Sequence, residues 1–266
     1  MTVDLRDTLK VVRRIEAGGP KLITAIHPED EMLLYVLDMA EKVENPQSHY
    51  FAGGERMLVR LRDLLDKLDL RLEDTGRFLE FACGYGRFTR HLVRVLDPSR
   101  VTVSDLYHQA VDFQVERFGV KGVYSALAPE DVHFPDRYDL IFVASLFSHL
   151  PDALFGIWIE RLYDALDDGG TLLFSTHGPS CLPEDRVFPE RGILYHKASE
   201  SRSHSADDYG TSYVTPEYVA TVVRERTGQD VALEVTRGLF NIQDVYAVRK
   251  PAATQSGNDR GASERR

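Results

Sequence analysis

Two carboxylates and a pair of glycines, Glu80, Gly84, Gly86 and Asp105, have the types and the spacing to do chemistry. The first three lie in "FLEFACGYGRFTRHL" and the fourth closes "RVTVSD". Glu80 interrupts an apolar strand-like run. A small-residue turn follows, Ala82-Cys83-Gly84-Tyr85-Gly86, and Phe88, Leu92 and Leu96 then recur at helical spacing. Glycines at such a point remove the side chains that would keep a ligand from the exposed N–H groups opening a helix, a natural seat for an anionic group. An acid ending the next strand can accept both hydroxyls of a ribose. A nucleoside-bearing ligand held against bare backbone is the chemistry these residues imply. The dinucleotide fingerprint Gly-x-Gly-x-x-Gly is met by Gly84 and Gly86, but its third glycine is Thr89 here. A dinucleotide-dependent oxidoreductase is therefore a competing class rather than the leading one.

These residues need elements to position them. Before about residue 75 the pattern is helical: Met32, Leu33, Val36, Leu37, Ala40 and Val43 share one face, and Met57, Leu58, Leu61, Leu64, Leu65 and Leu68 share another. "ENPQSHYFAGG" between them reads as a breaker stretch ending in paired glycines. From Arg77 onward short strands alternate with helices: "RFLEFA", "RVTVSD", "GVYSAL", "YDLIFVAS" and "TLLFSTH", the last after a helix expected to end at Gly169-Gly170. The continuous apolar run of Tyr138 to Ser145 is that of a strand buried on both faces. The alternation predicts an α/β fold with a parallel sheet and helices on both sides. Thr215-Pro216 reads as an N-cap and first helical residue, and "VALEVTRG" and "QDVYAVRK" read as two closing strands.

Taken in order, this series resembles the class I S-adenosylmethionine (SAM)-dependent methyltransferases over roughly Tyr50 to Arg249. The family's acid-x-Gly-x-Gly-x-Gly motif corresponds to Glu80 through Gly86, with Ala82 in place of the first glycine. The resemblance implies a Rossmann-like doubly wound, mostly parallel seven-stranded sheet with an antiparallel last strand, plus an N-terminal helical extension. It also implies SAM as cofactor, with Glu80, Ala82, Cys83, Gly84, Gly86, Arg87, Asp105, Leu106, Ser125 and Ser145 as cofactor-binding positions. SAM has no pyrophosphate, so the missing third glycine is no obstacle. Arg87 either pairs with the cofactor's carboxylate or is a solvated residue of the first helical turn. The acid that many members place after the third strand, to accept from the adenine amino group, is missing from "YSALAPED", where Ser125 is the closest polar match. A SAM-binding module without catalysis would share all these features.

Methyl transfer is a displacement at an already activated carbon, so alignment of donor and acceptor matters more than a strong catalytic signature. A base is needed only where the acceptor must lose a proton. His149, just beyond the fourth strand, is the catalytic candidate, with packing beside the cofactor as the alternative; His177 ends the fifth strand on the same edge. Residues 178–212 form a long polar connection carrying Phe188, Tyr195 and Tyr209. Connections that long are often functional, and this one is expected to act as a lid that places Tyr195, Tyr209 or both against the acceptor. His196, Glu200, His204, Asp207 and Asp208 lie in it too, but at no spacing typical of zinc, so no metal is expected.

The 266 residues suit one sizeable domain with extensions: a helical cover over 1–75, a core over 76–250 and a polar tail over 251–266. A formal net charge of -10 argues against nucleic acid and against an anionic membrane surface as partners, which leaves a small polar metabolite as the expected methyl acceptor, at O or N. Two cysteines outside any Cys-x-x-Cys pair, a first stretch without a signal-peptide core and no apolar run near about 20 residues point to a reducing, cytoplasmic setting.

Overall fold

The structure, a computed structural model, describes residues 5–17, 19–38, 45–197 and 209–253. In chain order the elements are α1 (Leu5–Glu16), α2 (Glu31–Asp38), α3 (Pro46–Asp66), β1 (Phe78–Phe81), α4 (Thr89–Leu92), β2 (Val101–Asp105), α5 (His108–Phe118), β3 (Lys121–Tyr124) and β4 (Tyr138–Val143). There follow α6 (Asp152–Asp164), β5 (Leu166–Thr176), β6 (Ile193–His196), β7 (Thr211–Val214), α7 (Pro216–Thr227), β8 (Val231–Leu239) and β9 (Gln243–Arg249). Seven strands form one sheet in the order β3-β2-β1-β4-β5-β9-β8. β1 to β5 pair in parallel, and β9 runs antiparallel to both its neighbours. This is the doubly wound α/β arrangement that the alternating pattern predicts. The order reverses between β1 and β4, which opens a crevice at the carboxyl ends of β1, β2 and β4.

Alternation along the strands divides the core in two. Leu79, Phe81, Ile141, Val143, Leu172 and Phe174 pack with α6 and α7 on one face. Phe78, Val101, Val103, Leu140, Phe142 and Leu173 pack with α3, α4 and α5 on the other. Glu80 shares the second face with Phe78 through the period of two, which aims its carboxyl at α4 and α5.

Two expectations about elements are corrected. The stretch Glu44 to Gly54 is not a breaker: from Pro46 it is the first half of α3. Asn45 caps the helix by accepting from Ser48 N, and Pro46 sits at the first position, where a missing N–H costs nothing. The glycines inside α3 answer to packing, since a Cβ on Gly54 would stand 2.1 Å from the Arg87 carbonyl oxygen. The helix before β5 ends at Asp164 rather than at Gly169-Gly170. Gly169, at φ +80°, bends the start of β5, and Gly170 lets backbone close in, with its missing Cβ 2.8 Å from Tyr138 O. Ala40 and Val43, and the tail beyond residue 253, lie outside the described residues.

Candidate active site

β1 ends at Phe81, and the chain leaves it through three left-handed residues: Ala82 (φ +57°), Gly84 (φ +55°) and Gly86 (φ +82°). The two glycines do different work. Nothing lies within 4 Å of the place a Gly84 Cβ would take, so a side chain there would project into open space at the cavity wall. A Cβ on Gly86 would meet Phe118 Cε2 at 2.3 Å and Gln114 Oε1 at 2.9 Å, and Gly86 is not on the cavity wall. Gly86 is therefore corrected from a ligand-facing position to the point where the turn packs on α5. Ala82 keeps a Cβ in a conformation that costs an L-residue roughly 1–2 kcal/mol.

The acids are tied to this turn. Asp105 accepts from Gly84 N at 2.8 Å and from Tyr107 N at 3.0 Å, which fixes the end of β2 to the loop after β1. Glu80 is buried beside Thr89, whose Oγ1 lies 2.6 Å from Glu80 Oε2 and 2.5 Å from Gln114 Oε1. One hydroxyl proton cannot serve both oxygens. The conflict disappears when Glu80 is protonated: its O–H donates to Thr89, Thr89 donates to Gln114 Oε1, and Gln114 Nε2 donates to Gly84 O at 2.7 Å. Burial, reinforced by the nearby Asp105 charge and opposed by the Thr89 hydrogen bond, pushes Glu80 up to about 8. Cys83 is a buried thiol, pushed up by burial first, and its Sγ takes a hydrogen bond from Gln114 Nε2 at 3.0 Å.

These groups open on a cavity of about 260 Å³ at the carboxyl edge of the sheet. Of the residues singled out in the sequence, Glu80, Ala82, Cys83, Gly84, Arg87, Asp105, Leu106, Ser125, Ser145 and Tyr209 line it. Ser145 is left-handed (φ +68°), held by its N–H on Ser175 Oγ at 2.9 Å and its hydroxyl on Gln243 Oε1 at 3.1 Å. The sequence reading missed Asp30, Glu31 and Met32 at the start of α2, and Leu154 and Trp158 on α6. All five reach the site through tertiary packing. The one local signal was the apolar run of α6 starting just past β4.

An arginine ties the N-terminal cover to the glycine turn. Arg90 is fully buried, and its Nε donates to Gly86 O at 2.9 Å. Its Nη1 donates to Ile23 O and Ala25 O at 2.8 and 2.9 Å, and Nη2 to Tyr50 Oη at 3.3 Å. Tyr50 Oη in turn donates to Asp30 Oδ2 on the cavity wall at 2.6 Å.

The histidines are set back from the cavity. His149 Nδ1 is 2.7 Å from Gly210 O, and its ring stacks on Tyr209 at 4.5 Å between centroids. Tyr209 stands on the wall, and His149, stacked on it, is not among the residues that line the cavity. His177 lies further back, against Tyr213, and burial first and then the His149 charge lower it to about 4. It is not among the residues that line the cavity. Tyr195 is likewise displaced: it belongs to β6, in a two-stranded sheet with β7, and its ring packs where a Cβ on Gly210 would stand. Among the described residues no group of three or more His, Cys, Asp or Glu is placed to hold a metal ion; Glu200, His204, Asp207 and Asp208 lie outside them. No described helix is long and apolar enough to cross a membrane.

Known proteins match this chain in sequence and in fold. The profile of the methyltransferase domain family covers residues 54–221. Similar curated relatives include a malonyl-[acyl-carrier protein] O-methyltransferase of Porphyromonas gingivalis, 32% identical over 151 residues (55% of this chain and 54% of the relative). Another of the same name, from Calditerrivibrio nitroreducens, is 29% identical over 144 residues (53% and 54%). The chain spans about half the length of the curated relatives it matches. Among solved structures, the CcbJ methyltransferase of Streptomyces caelestis superposes with a TM-score of 0.52 at 15% identity, over 75% of this chain and 90% of its own. A DhpI–SAM–HEP complex does so with 0.51 at 20%, over 83% and 98%. Those two likenesses are of fold. With the family match spanning more than half of its residues, the chain belongs to the methyltransferase domain family, in the class I, SAM-dependent form that its sequence resembles.

Proposed function

We propose that this protein transfers the methyl group of SAM to an oxygen or nitrogen atom of a small polar acceptor. The observation that carries the reading is the convergence of Glu80, Gly84 and Asp105 on one cavity at the switch point of the sheet. The residues present fit SAM. Gly84 leaves a cradle that any side chain would fill, and Asp105 is held by two backbone N–H groups at the end of β2, the position from which an acid accepts ribose hydroxyls. Leu106, Ala126, Leu127 and Leu154 supply apolar walls for adenine beside Ser125. Asp105 supplies negative potential for a cationic ligand, joined by Glu80 once it ionises, above about pH 8.

When bound, SAM supplies a methyl group already activated by its sulfonium. The chain has to hold the acceptor in line with that methyl and keep water out. Tyr209, Met57 and Phe88 make the cavity wall apolar, and Ser145 and Asp30 offer polar groups for orienting an acceptor. The curated relatives favour oxygen as the accepting atom, and they supply a second reading, an acyl group on a carrier protein.

Calorimetry with SAM, S-adenosylhomocysteine (SAH) and NADPH tests the cofactor, with binding expected for the first two only. Transfer of labelled methyl is then assayed against small carboxylates, alcohols and amines, and against a malonyl thioester on a carrier protein. Binding of NADPH without SAH, or binding of SAH with no transfer to any of these acceptors, would overturn the reading.

A further inference from the structure

Arg87 follows the glycine turn and lines the cavity half-buried, yet its guanidinium donates no hydrogen bond and forms no salt bridge among the described residues. It lies over the face of Phe240, 5.1 Å from Cζ to ring centroid. A guanidinium withdrawn from water without acceptors is unfavourable, and such a site gains most from an incoming anion. Burial, first among the causes, lowers its pKa; Tyr50 and Asp30 oppose the shift, and the charge of Arg56 adds to it.

Arg56 stands nearby on α3, exposed and also without a salt bridge or hydrogen bond among the described residues. Between them the helix carries Gly53. A Cβ there would lie 3.8 Å from Arg87 Nη1 and 3.9 Å from Arg56 Nη2, so the two guanidinium groups flank a bare stretch of helix. His49, one turn earlier on the same face, feels both cations, which together with burial lower its pKa. Among the described residues, the acids near this cluster have hydrogen-bond or salt-bridge partners other than these two arginines. Glu55 pairs with Arg14, and Asp30 accepts from Leu33 N and Tyr50 Oη. Arg87 lines the cavity and Arg56 is exposed to solvent, so the pair links the cavity wall to the protein surface, whereas the cofactor reading rests on Gly84 and Asp105.

We propose that the notch at Gly53, between Arg87 and Arg56, binds an anionic group of the methyl acceptor, a carboxylate or a phosphate. This rests on the methyl-transfer reading and narrows its acceptor class. Two cations aimed at one small space suit a two-oxygen anion better than a neutral hydroxyl or amide.

The test uses inorganic phosphate as the probe, titrated at constant ionic strength into the full chain saturated with SAH. Wild-type protein is expected to bind it. Arg56→Ala, at an exposed position that leaves the fold intact, is expected to weaken phosphate binding about tenfold, and Arg87→Met to abolish it, with SAH affinity unchanged in both. Wild-type protein that binds SAH but not phosphate would overturn the notch and leave the methyl-transfer reading standing. So would equal phosphate binding by the variants. A large loss of SAH affinity in both variants would assign the cations to the cofactor's own carboxylate and overturn the acceptor site. Wild-type protein that fails to bind SAH at all would instead defeat the methyl-transfer reading.

Discussion

Glu80 carries the clearest titration at the level of single residues. Its carboxyl has an ordinary value of 4.5 and stands at about 8 in the folded chain. The folded state therefore holds a proton that the unfolded state releases, and stability falls as pH rises through that window, levelling off above it. Glu80→Gln mimics the protonated form, since its amide can still donate to Thr89. The variant is expected to lose less stability between about pH 5 and pH 8 than wild type, read from denaturant midpoints at both values. It is also expected to bind SAM more weakly at the alkaline end, by about tenfold, because an ionised Glu80 is available to a cationic ligand only in the wild type. Parallel loss of stability with pH in both proteins would show that Glu80 is ionised when folded. Glu80, Gly84 and Asp105 were legible in the sequence because strand, turn and helix put them in place locally. The job of Gly86 was not, because it depends on Phe118 and Gln114 arriving from α5. Arg87, for which the sequence left two roles open, makes no hydrogen bond or salt bridge among the described residues and lies over the Phe240 ring, a fact that only packing exposes.

Whole elements were legible where a periodic pattern met a clear cap, and less so where glycine was present for packing. β1, β2, β4, β5 and the β8–β9 pair follow apolar runs, and α7 begins at Thr215-Pro216 as its cap chemistry requires, with Thr215 Oγ1 accepting from Tyr218 N. α3 was shortened in the reading because adjacent glycines argue against a helix by propensity. Tertiary contact overrides that propensity here. Gly54 is where the Arg87 backbone and the His91 ring close on α3, while Gly53 has only ordinary contact distances around it. The two glycines therefore separate in a simple experiment. Gly54→Ala is expected to destabilise by about 1–3 kcal/mol or more through overpacking, and Gly53→Ala to stabilise by about 0.5–1 kcal/mol through helix propensity. Urea unfolding of both variants reads the difference. Equal effects would mean that α3 and the turn after β1 can separate freely.

At the scale of the molecule, the cavity is bracketed by two structures outside the seven-stranded sheet, and each is tied to the core by long-range hydrogen bonds. On one side Arg90 holds residues 23–25 and Tyr50 to the glycine turn. On the other, the lead into β7 is stitched to the loop after β4. Gly210 N donates to His149 O at 3.0 Å, Ser212 N to Ser148 O at 2.8 Å, and the His149 ring reaches Gly210 O. The sequence singled out residues 178–212 as a cover from their length, polarity and aromatics. It could not say which tyrosine faces the ligand, because the pairing of β6 with β7 sends Tyr195 behind Gly210 and leaves Tyr209 at the wall. His149 is then best treated as a positioning residue, acting through Tyr209. His149→Ala removes one buried hydrogen bond and one stacked ring, for an expected loss of about 1–3 kcal/mol. Amide exchange is expected to quicken in β6 and β7 and to stay unchanged around residues 23–25. The KM for the acceptor is expected to rise about tenfold, with kcat, its pH profile and SAM affinity nearly preserved. A general base would behave differently: its removal lowers kcat by roughly 10²–10⁴ and erases the ascending limb of the pH profile. That second pattern, with exchange in β6 and β7 unaltered, would put His149 back against the reacting atoms and would require the Tyr209 ring to move aside when the acceptor binds.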